Sequence, residues 1–368
     1  MRTSRLLGAA ALAAASLLLI PPTASSAAPK PVPKPKVVST AVAAPFNLAL
    51  RGGKTYVADG GLNLIGRVTK NGKLATIAAD QPGASGIAFS KNGKSMAFTT
   101  TVTNLETFEN SASGLHIWGP RGKRIYADTH AYETKHNPDK VIRYGVKNPS
   151  ACVSEALEKA EIPVSYRGHV DSHAYSVTAV PGGWVVADAG SNTLWRVNSK
   201  GKISTLAVLP AQPTKITASM AAALELPECV VGITYRFEAV PTDVELGKDG
   251  HLYVTTLPGG PESPVLGARG KVYRVNLRNG KTKVVAKGLL GATNLALGTS
   301  GKIYVAELFG GRISVVQRGK VKPYVTLPGV VAVETTKSRK TLWAATMGDP
   351  ENKVPGTIVK IVKGKVRK

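Results

Sequence analysis

Asn294-Leu295-Ala296-Leu297, Tyr304-Val305-Ala306-Glu307, Ile313-Ser314-Val315-Val316 and Val321-Lys322-Pro323-Tyr324-Val325 follow one another across short turns. Each run is brief, apolar and rich in β-branched or aromatic residues. Each boundary carries Gly beside Lys or Arg, so the segment predicts four antiparallel strands joined by tight turns. Working outward, the same unit returns along the chain. Its first two strands read Asn47–Leu50 with Tyr56–Asp59, Gly86–Phe89 with Met96–Thr99, Ser176–Ala179 with Val185–Asp188, Asp243–Leu246 with Tyr253–Thr256, and Val330–Val333 with Trp343–Thr346. Four-stranded sheets repeating at roughly 40 residues are the signature of propeller blades, because one such sheet cannot bury both of its faces alone. The sixth copy ends after a third strand at Thr357–Ile361, while Lys36–Val42 precedes the first copy with no blade of its own. A solenoid would not leave complementary halves at the two termini. The expectation is an all-β, six-bladed β-propeller with four-stranded blades, closed by the N-terminal strand completing the last blade.

Composition fits that architecture and narrows the compartment. Arg2 and Arg5 precede an apolar run from Leu6 to Ile20, then Pro21, Pro22 and small residues, the order of a secretory signal peptide. The run falls short of the roughly 20 residues that span a bilayer. Residues 1–27 are therefore expected to be removed, leaving no transmembrane segment in a secreted protein, extracellular or held at the cell wall. Alternating Pro and Lys make residues 28–36 a stiff, extended linker, and residues 37–368 form the propeller. Two insertions interrupt it, at about 129–168 and 209–239, with helical composition at Ser150–Ala160 and Thr217–Leu226. The chain has two cysteines, one in each insertion. In an oxidising compartment a Cys152–Cys229 disulfide is the economical reading, because no partner residues mark either thiol as catalytic or metal-binding.

Lys and Arg number 48 against 23 Asp and Glu, a formal net charge of +25. In a four-stranded blade the first–second and third–fourth turns open on one face of the disk. Those turns carry Lys54, Lys94, Lys248 and Lys302, and Lys70, Lys73, Lys123, Lys200, Lys202 and Lys320, with almost no acid among them. A single-sign face of this kind attracts polyanions by steering and counterion release. Teichoic acid, an anionic membrane surface or extracellular DNA would each qualify as a cell-envelope partner. Sequence-specific nucleic-acid reading is not indicated, since no recognition motif or aromatic stacking run occurs. A monomer is expected.

The opposite face should collect the remaining polar residues. Asn47, Asp243 and Asn294 enter the innermost strand and so mark the mouth of a central channel, a usual ligand site. Asp59, Asp188 and Glu307 close the second strand, where they either join that site or cap the following turn. Asp171 and His173 just precede the third blade and could form an acid–base pair. Oxygen ligands converging on an axis suit Ca²⁺ or Mg²⁺, so Asn47, Asp243 and Asn294 are candidate metal ligands. Gly86, Ser176 and Val330 stand at the remaining positions and leave the ring incomplete. No Gly-x-Ser-x-Gly elbow, phosphate loop, dinucleotide fingerprint or His-Glu-x-x-His is present.

Asp171-Ser172-His173-Ala174-Tyr175-Ser176, Val240-Pro241-Thr242-Asp243-Val244-Glu245, Leu257-Pro258-Gly259-Gly260-Pro261-Glu262, Leu266-Gly267-Ala268-Arg269-Gly270 and Ala292-Thr293-Asn294-Leu295-Ala296 resemble the ScyD/ScyE family of secreted proteins. That family is itself similar to NHL and SMP-30-type six-bladed propellers. The resemblance implies the propeller but no settled activity. SMP-30-type propellers hold a divalent ion with an Asn/Asp/Glu set entering inner strands, and Asn47, Asp243 and Asn294 match that placement here. The sequence thus favours a binding or scaffold protein for envelope polyanions or a small polar ligand. The alternative is a metal-dependent SMP-30-like hydrolase or lactonase with its site at the channel mouth.

Overall fold

The computed structural model describes residues 33–363. The expected signal peptide lies outside the described residues. The described residues are all-β, built into seven four-stranded antiparallel sheets. Sheet 1 contains Pro45–Arg51, Lys54–Asp59, Leu64–Val68 and Leu74–Ala78, in that order. Sheets 2, 3, 4 and 5 repeat this meander over residues 87–128, 174–208, 241–289 and 292–326. Sheet 6 takes Val330–Thr335, Leu342–Thr346 and Gly356–Lys363, and its fourth strand is Pro33–Val42. Val37 there lies opposite Val359 and Lys36 opposite Lys360. This strand begins at Pro33, so the last four residues of the expected linker already belong to it. Its position at the sheet edge explains the tolerance of Pro33 and Pro35, because an outer amide needs no ladder partner.

The recurring Tyr-Val-Ala-Asp strand follows from how the sheets stack. Side chains alternate faces along a strand. Val57 therefore packs toward sheet 6, with Val42, Ala345 and Ile358, whereas Ala58 packs toward sheet 2, with Ile87 and Phe98. Val305 and Ala306 divide in the same way between sheets 4 and 6. Val185 and Ala187 face sheet 4 while Val186 between them faces sheet 2. Six apolar cores result, one between each consecutive pair of sheets, and one of them joins sheet 6 to sheet 1. Each fully buried Val contributes about 1.5–3 kcal/mol, so the stacking is held chiefly by these interfaces.

The two insertions meet. Arg143–Val146 and Ser165–Arg167 from the first pair with Gln212–Lys215 and Thr234–Phe237 from the second, forming a seventh, accessory sheet. Helix α1 (Thr129–His136) leads into it, and α2 (Ala151–Lys159) and α3 (Ala218–Ala223) cover it. Ser150 and Thr217 cap α2 and α3 through their hydroxyls. Cys152 and Cys229 are joined by a disulfide that closes a 77-residue separation. Val153, Leu157, Ile216, Val230, Tyr235, Phe237 and Leu266 form a separate core beside it. Among the described residues no helix is long and apolar enough to cross a membrane.

Candidate functional site

The first strands of sheets 1 to 6 all line one central cavity of about 750 Å³. Register fixes which residues stand at one level of these strands, of which Asn47, Asp243 and Asn294 line the cavity. Asn47, Ser176, Asp243 and Asn294 follow the bulge of their strands, opposite Ala58, Ala187, Thr255 and Ala306. In sheet 6 the residue at that level is Ala332, opposite Ala345, and not Val330. Val330 corresponds instead to Pro45 and Ala292, before the bulge that all these strands share, so the sixth copy is displaced by two residues from the register of the others. Asn47 Nδ2 donates to Asp243 Oδ1 at 3.5 Å, across 196 residues of chain. Ser176 Oγ donates to the same oxygen, and the Leu295 amide donates to Asp243 Oδ2 at 2.8 Å. The Val333 amide donates to Asn294 Oδ1 at 2.8 Å.

These bonds have a structural cause. An innermost strand has one unpaired edge, and its buried amides need acceptors. Asp243 and Asn294 supply them to the next sheet, and Glu245 does the same for the Leu297 amide at 3.3 Å.

Two residues upstream of the mouth complete a second layer. Glu245 and Glu334 stand opposite Tyr253 and Trp343, at equivalent positions of sheets 4 and 6, and both line the cavity. Sequence reasoning missed them. The signal was available, since Glu245 lies two residues from Asp243 on the same strand face and Val333-Glu334 repeats Val244-Glu245. Burial pushes the Asp243 carboxyl up to about 6, partly offset by the Ser176 and Leu295 donors. Burial and then the neighbouring Asp243 carry Glu245 up to about 8. Glu334 is raised well above the usual range by burial, then by Glu245. Three acidic groups thus share one recess, and Glu245 and Glu334 hold their protons into the neutral range.

Lys91, Lys248 and Arg339 line the same cavity at its rim. All three sit in first–second turns, so the cavity opens toward the basic turns. The expected separation of oxygen ligands on one face from lysines on the other does not hold. At the far end, Phe46 and Tyr175 stand one residue before Asn47 and Ser176, with ring centroids 5.8 Å apart, and neither lines the cavity.

The other expected site residues are elsewhere. Asp188 is fully buried and accepts from the Ser172 hydroxyl, the His173 and Ser191 amides and Trp195 Nε1. Asp59 takes the Ala43, Ala44 and Leu62 amides. Glu307 takes the Leu290 amide, Ser314 and Arg312. These acids cap turns and the connections between sheets. Asp171 accepts from Asn110 Nδ2 at 2.8 Å. His173 packs edge-on against Tyr175, and burial lowers its proton affinity. The two form no ion pair with each other.

As arranged, Asn47, Asp243 and Asn294 do not fit a cation. Both oxygens of Asp243 and the Asn294 oxygen already accept protein donors, and Asn47 turns its amide nitrogen inward. Among the described residues no three His, Cys, Asp or Glu groups converge to hold a metal.

No family model and no curated protein matches this chain. Solved structures do. A gluconolactonase from Xanthomonas campestris is similar over 90% of this chain and 90% of its own, with TM-score 0.52 and 9% identity. The PQQ-bound aldose sugar dehydrogenase from Streptomyces coelicolor is similar over 91% of this chain and 100% of its own, with TM-score 0.51 and 12% identity. An auxiliary nutrient binding protein from Bacteroides thetaiotaomicron is similar over 88% of this chain and 70% of its own, with TM-score 0.50 and 8% identity. At such identities the likeness is one of fold alone, and these three proteins, two enzymes and a binding protein, share it.

Proposed function

We propose that this chain is a secreted, six-bladed propeller of the ScyD/ScyE type that binds a small, neutral, hydroxyl-rich ligand in its axial cavity. Its basic turns engage envelope polyanions around the cavity mouth. Support for six blades comes from the six shared cores, and support for closure from the pairing of Pro33–Val42 with Gly356–Lys363. The observation that carries the ligand reading is the placement of Glu245 and Glu334 inside the cavity, beside Asp243. Carboxyl groups that retain protons near neutral pH donate as well as accept hydrogen bonds, which matches the alternating needs of hydroxyl groups. Arg339, half-buried at the rim, adds fixed donors and no acceptor.

Titration calorimetry with a panel of neutral polyols, sugars and sugar lactones tests this. Saturable binding that Glu245→Gln or Glu334→Gln weakens is expected. Absence of heat across the panel, or binding that both substitutions leave intact, refutes the reading.

A second reading, lactone hydrolysis, is favoured by the paired carboxyl groups of Glu245 and Glu334, one of which could serve as a base while the other donates. It requires no metal at Asn47, Asp243 and Asn294. Acid release from a sugar lactone, followed at constant pH, decides between binding and turnover.

A further inference from the structure

A second cavity, of about 460 Å³, opens within the accessory module that the Cys152–Cys229 disulfide holds together. Its walls are apolar, supplied chiefly by Leu157 of α2, Ile216, Leu224, Phe237 and Leu266. Size and lining are those of a small-molecule site, in which a few polar groups orient an apolar body. The polar side chains here are uniformly acidic or phenolic. Glu238 and Tyr166 stand in the wall, Tyr235 gives its hydroxyl to the Pro163 carbonyl at 2.7 Å, and Glu161 lies at the exposed rim. No Lys or Arg lines the cavity, in a chain with 48 of them.

The ground behind Glu238 is acidic as well. Asp139 and Glu133 are almost fully buried, and Asp139 Oδ1 and Glu133 Oε1 have no hydrogen-bond partner. Among the described residues, the ion pairs involve Asp249 and Glu307 and none of Glu133, Asp139, Asp171 or Glu238. Arg269 stacks behind the Phe237 ring at 4.5 Å, spends Nη2 on the Pro258 and Gly259 carbonyls, keeps Nε and Nη1 buried without a partner, and is not itself part of the cavity lining. The polar end of the cavity is thus set by Glu238 with Asp139 and Asp171 behind it, with no Lys or Arg in the lining and with the His169 ring stacked on Tyr166. A carboxylate ligand would be repelled there, and a neutral one would leave the Glu238 carboxylate unanswered.

We propose that this cavity binds a hydrophobic ammonium ion, an alkyl or arylalkyl primary amine, with its body among Leu157, Ile216, Leu224, Phe237 and Leu266 and its charge against Glu238 and Tyr166. Burial, and then Asp139, push the Glu238 carboxyl up to about 7, so at pH 8 it is ionised and an ammonium group takes the place of the proton it has given up. Three donors on the ammonium can meet the Glu238 carboxylate and the Tyr166 oxygen together.

The probes are n-octylammonium, 1-octanol and octanoate, measured at pH 8 by displacement of a fluorescent apolar dye from the intact mature protein. Octylammonium is expected to bind roughly tenfold or more tighter than octanol, the usual size of a hydrogen bond to a charged partner, and octanoate not at all. Glu238→Gln should erase the preference for the amine while leaving octanol binding in place. Ile216→Trp or Leu224→Trp should fill the cavity and abolish binding of both, with two variants guarding against one that misfolds. Glu351→Gln, at an exposed carboxylate outside both cavities, should leave displacement unchanged. Octanoate binding as well as the amine, no displacement by any probe, or sensitivity to Glu351→Gln but not to Glu238→Gln would each overturn the proposal.

Discussion

Glu245→Gln should change the way stability depends on pH, and the size of the effect follows from the cavity. The folded protein holds the Glu245 proton up to about pH 8, against an ordinary value of 4.5. Between those values the unfolded chain is ionised at this position and the folded chain is not. Unfolding then releases a proton, and stability falls as pH rises. The contribution is fully present below pH 4.5 and is lost as pH climbs through 8. A single isolated group with this shift would account for on the order of 4 kcal/mol across that window. Asp243 and Glu334 share the same field, so Glu245 alone should supply about 2–3 kcal/mol of it. Glutamine keeps the oxygen that accepts the Leu297 amide and has no charge to desolvate. Urea unfolding, followed by tryptophan fluorescence at pH 5 and pH 8.5, measures the effect. The substitution should be nearly neutral at pH 5 and stabilising by about 2–3 kcal/mol at pH 8.5. An equal change at the two pH values would refute the claim that this carboxyl is held protonated by its surroundings.

Asp188→Ala should destabilise the fold by on the order of 3–5 kcal/mol in the same assay, because four buried donors lose their acceptor at once. A cost below about 1 kcal/mol would mean that these bonds do not hold the third sheet. Reduction of the Cys152–Cys229 bond should lower stability by up to about 4 kcal/mol, the chain-entropy value for a loop of this length. Native protein should show no thiol reactive toward a colorimetric reagent before reduction. Retention on a phosphate-bearing polymer should fall roughly tenfold or more between 50 and 200 mM salt. Charge reversal at Lys200 and Lys202, both exposed, should weaken it further, and salt-independent retention would contradict polyanion binding by the basic turns.

The sheets were legible because each strand of the repeat announces itself twice, by alternating burial and by the Gly turn that ends it. Val57 and Ala58 show why, since neighbours on one strand serve different interfaces and must both be apolar. The accessory sheet was not legible. Its strands are four residues or fewer, and Arg143–Val146 pairs with Thr234–Phe237 across most of a hundred residues, a contact that no local pattern encodes. The two cysteines were the exception, because compartment and number alone pointed to their pairing.

At the axial cavity the sequence led to Asn47, Asp243 and Asn294 but assigned them the wrong surroundings. Their oxygens are consumed by strand-edge amides, a demand visible only once neighbouring sheets are stacked. Glu245 and Glu334 went unread although they lie on the same strand face, since the repeat was aligned at one position per copy. Ala332, and not Val330, takes the place of Asn47 because sheet 6 offers no polar residue at that level to mark its register.

The axial cavity as a ligand site is tested most directly by a crystal structure of the protein grown with the polyol or lactone that calorimetry ranks highest. The ligand is expected between the six first strands, its hydroxyl groups within hydrogen-bond reach of Glu245 and Glu334. A ligand bound elsewhere on the molecule, with those two carboxyl groups facing only protein, would contradict it.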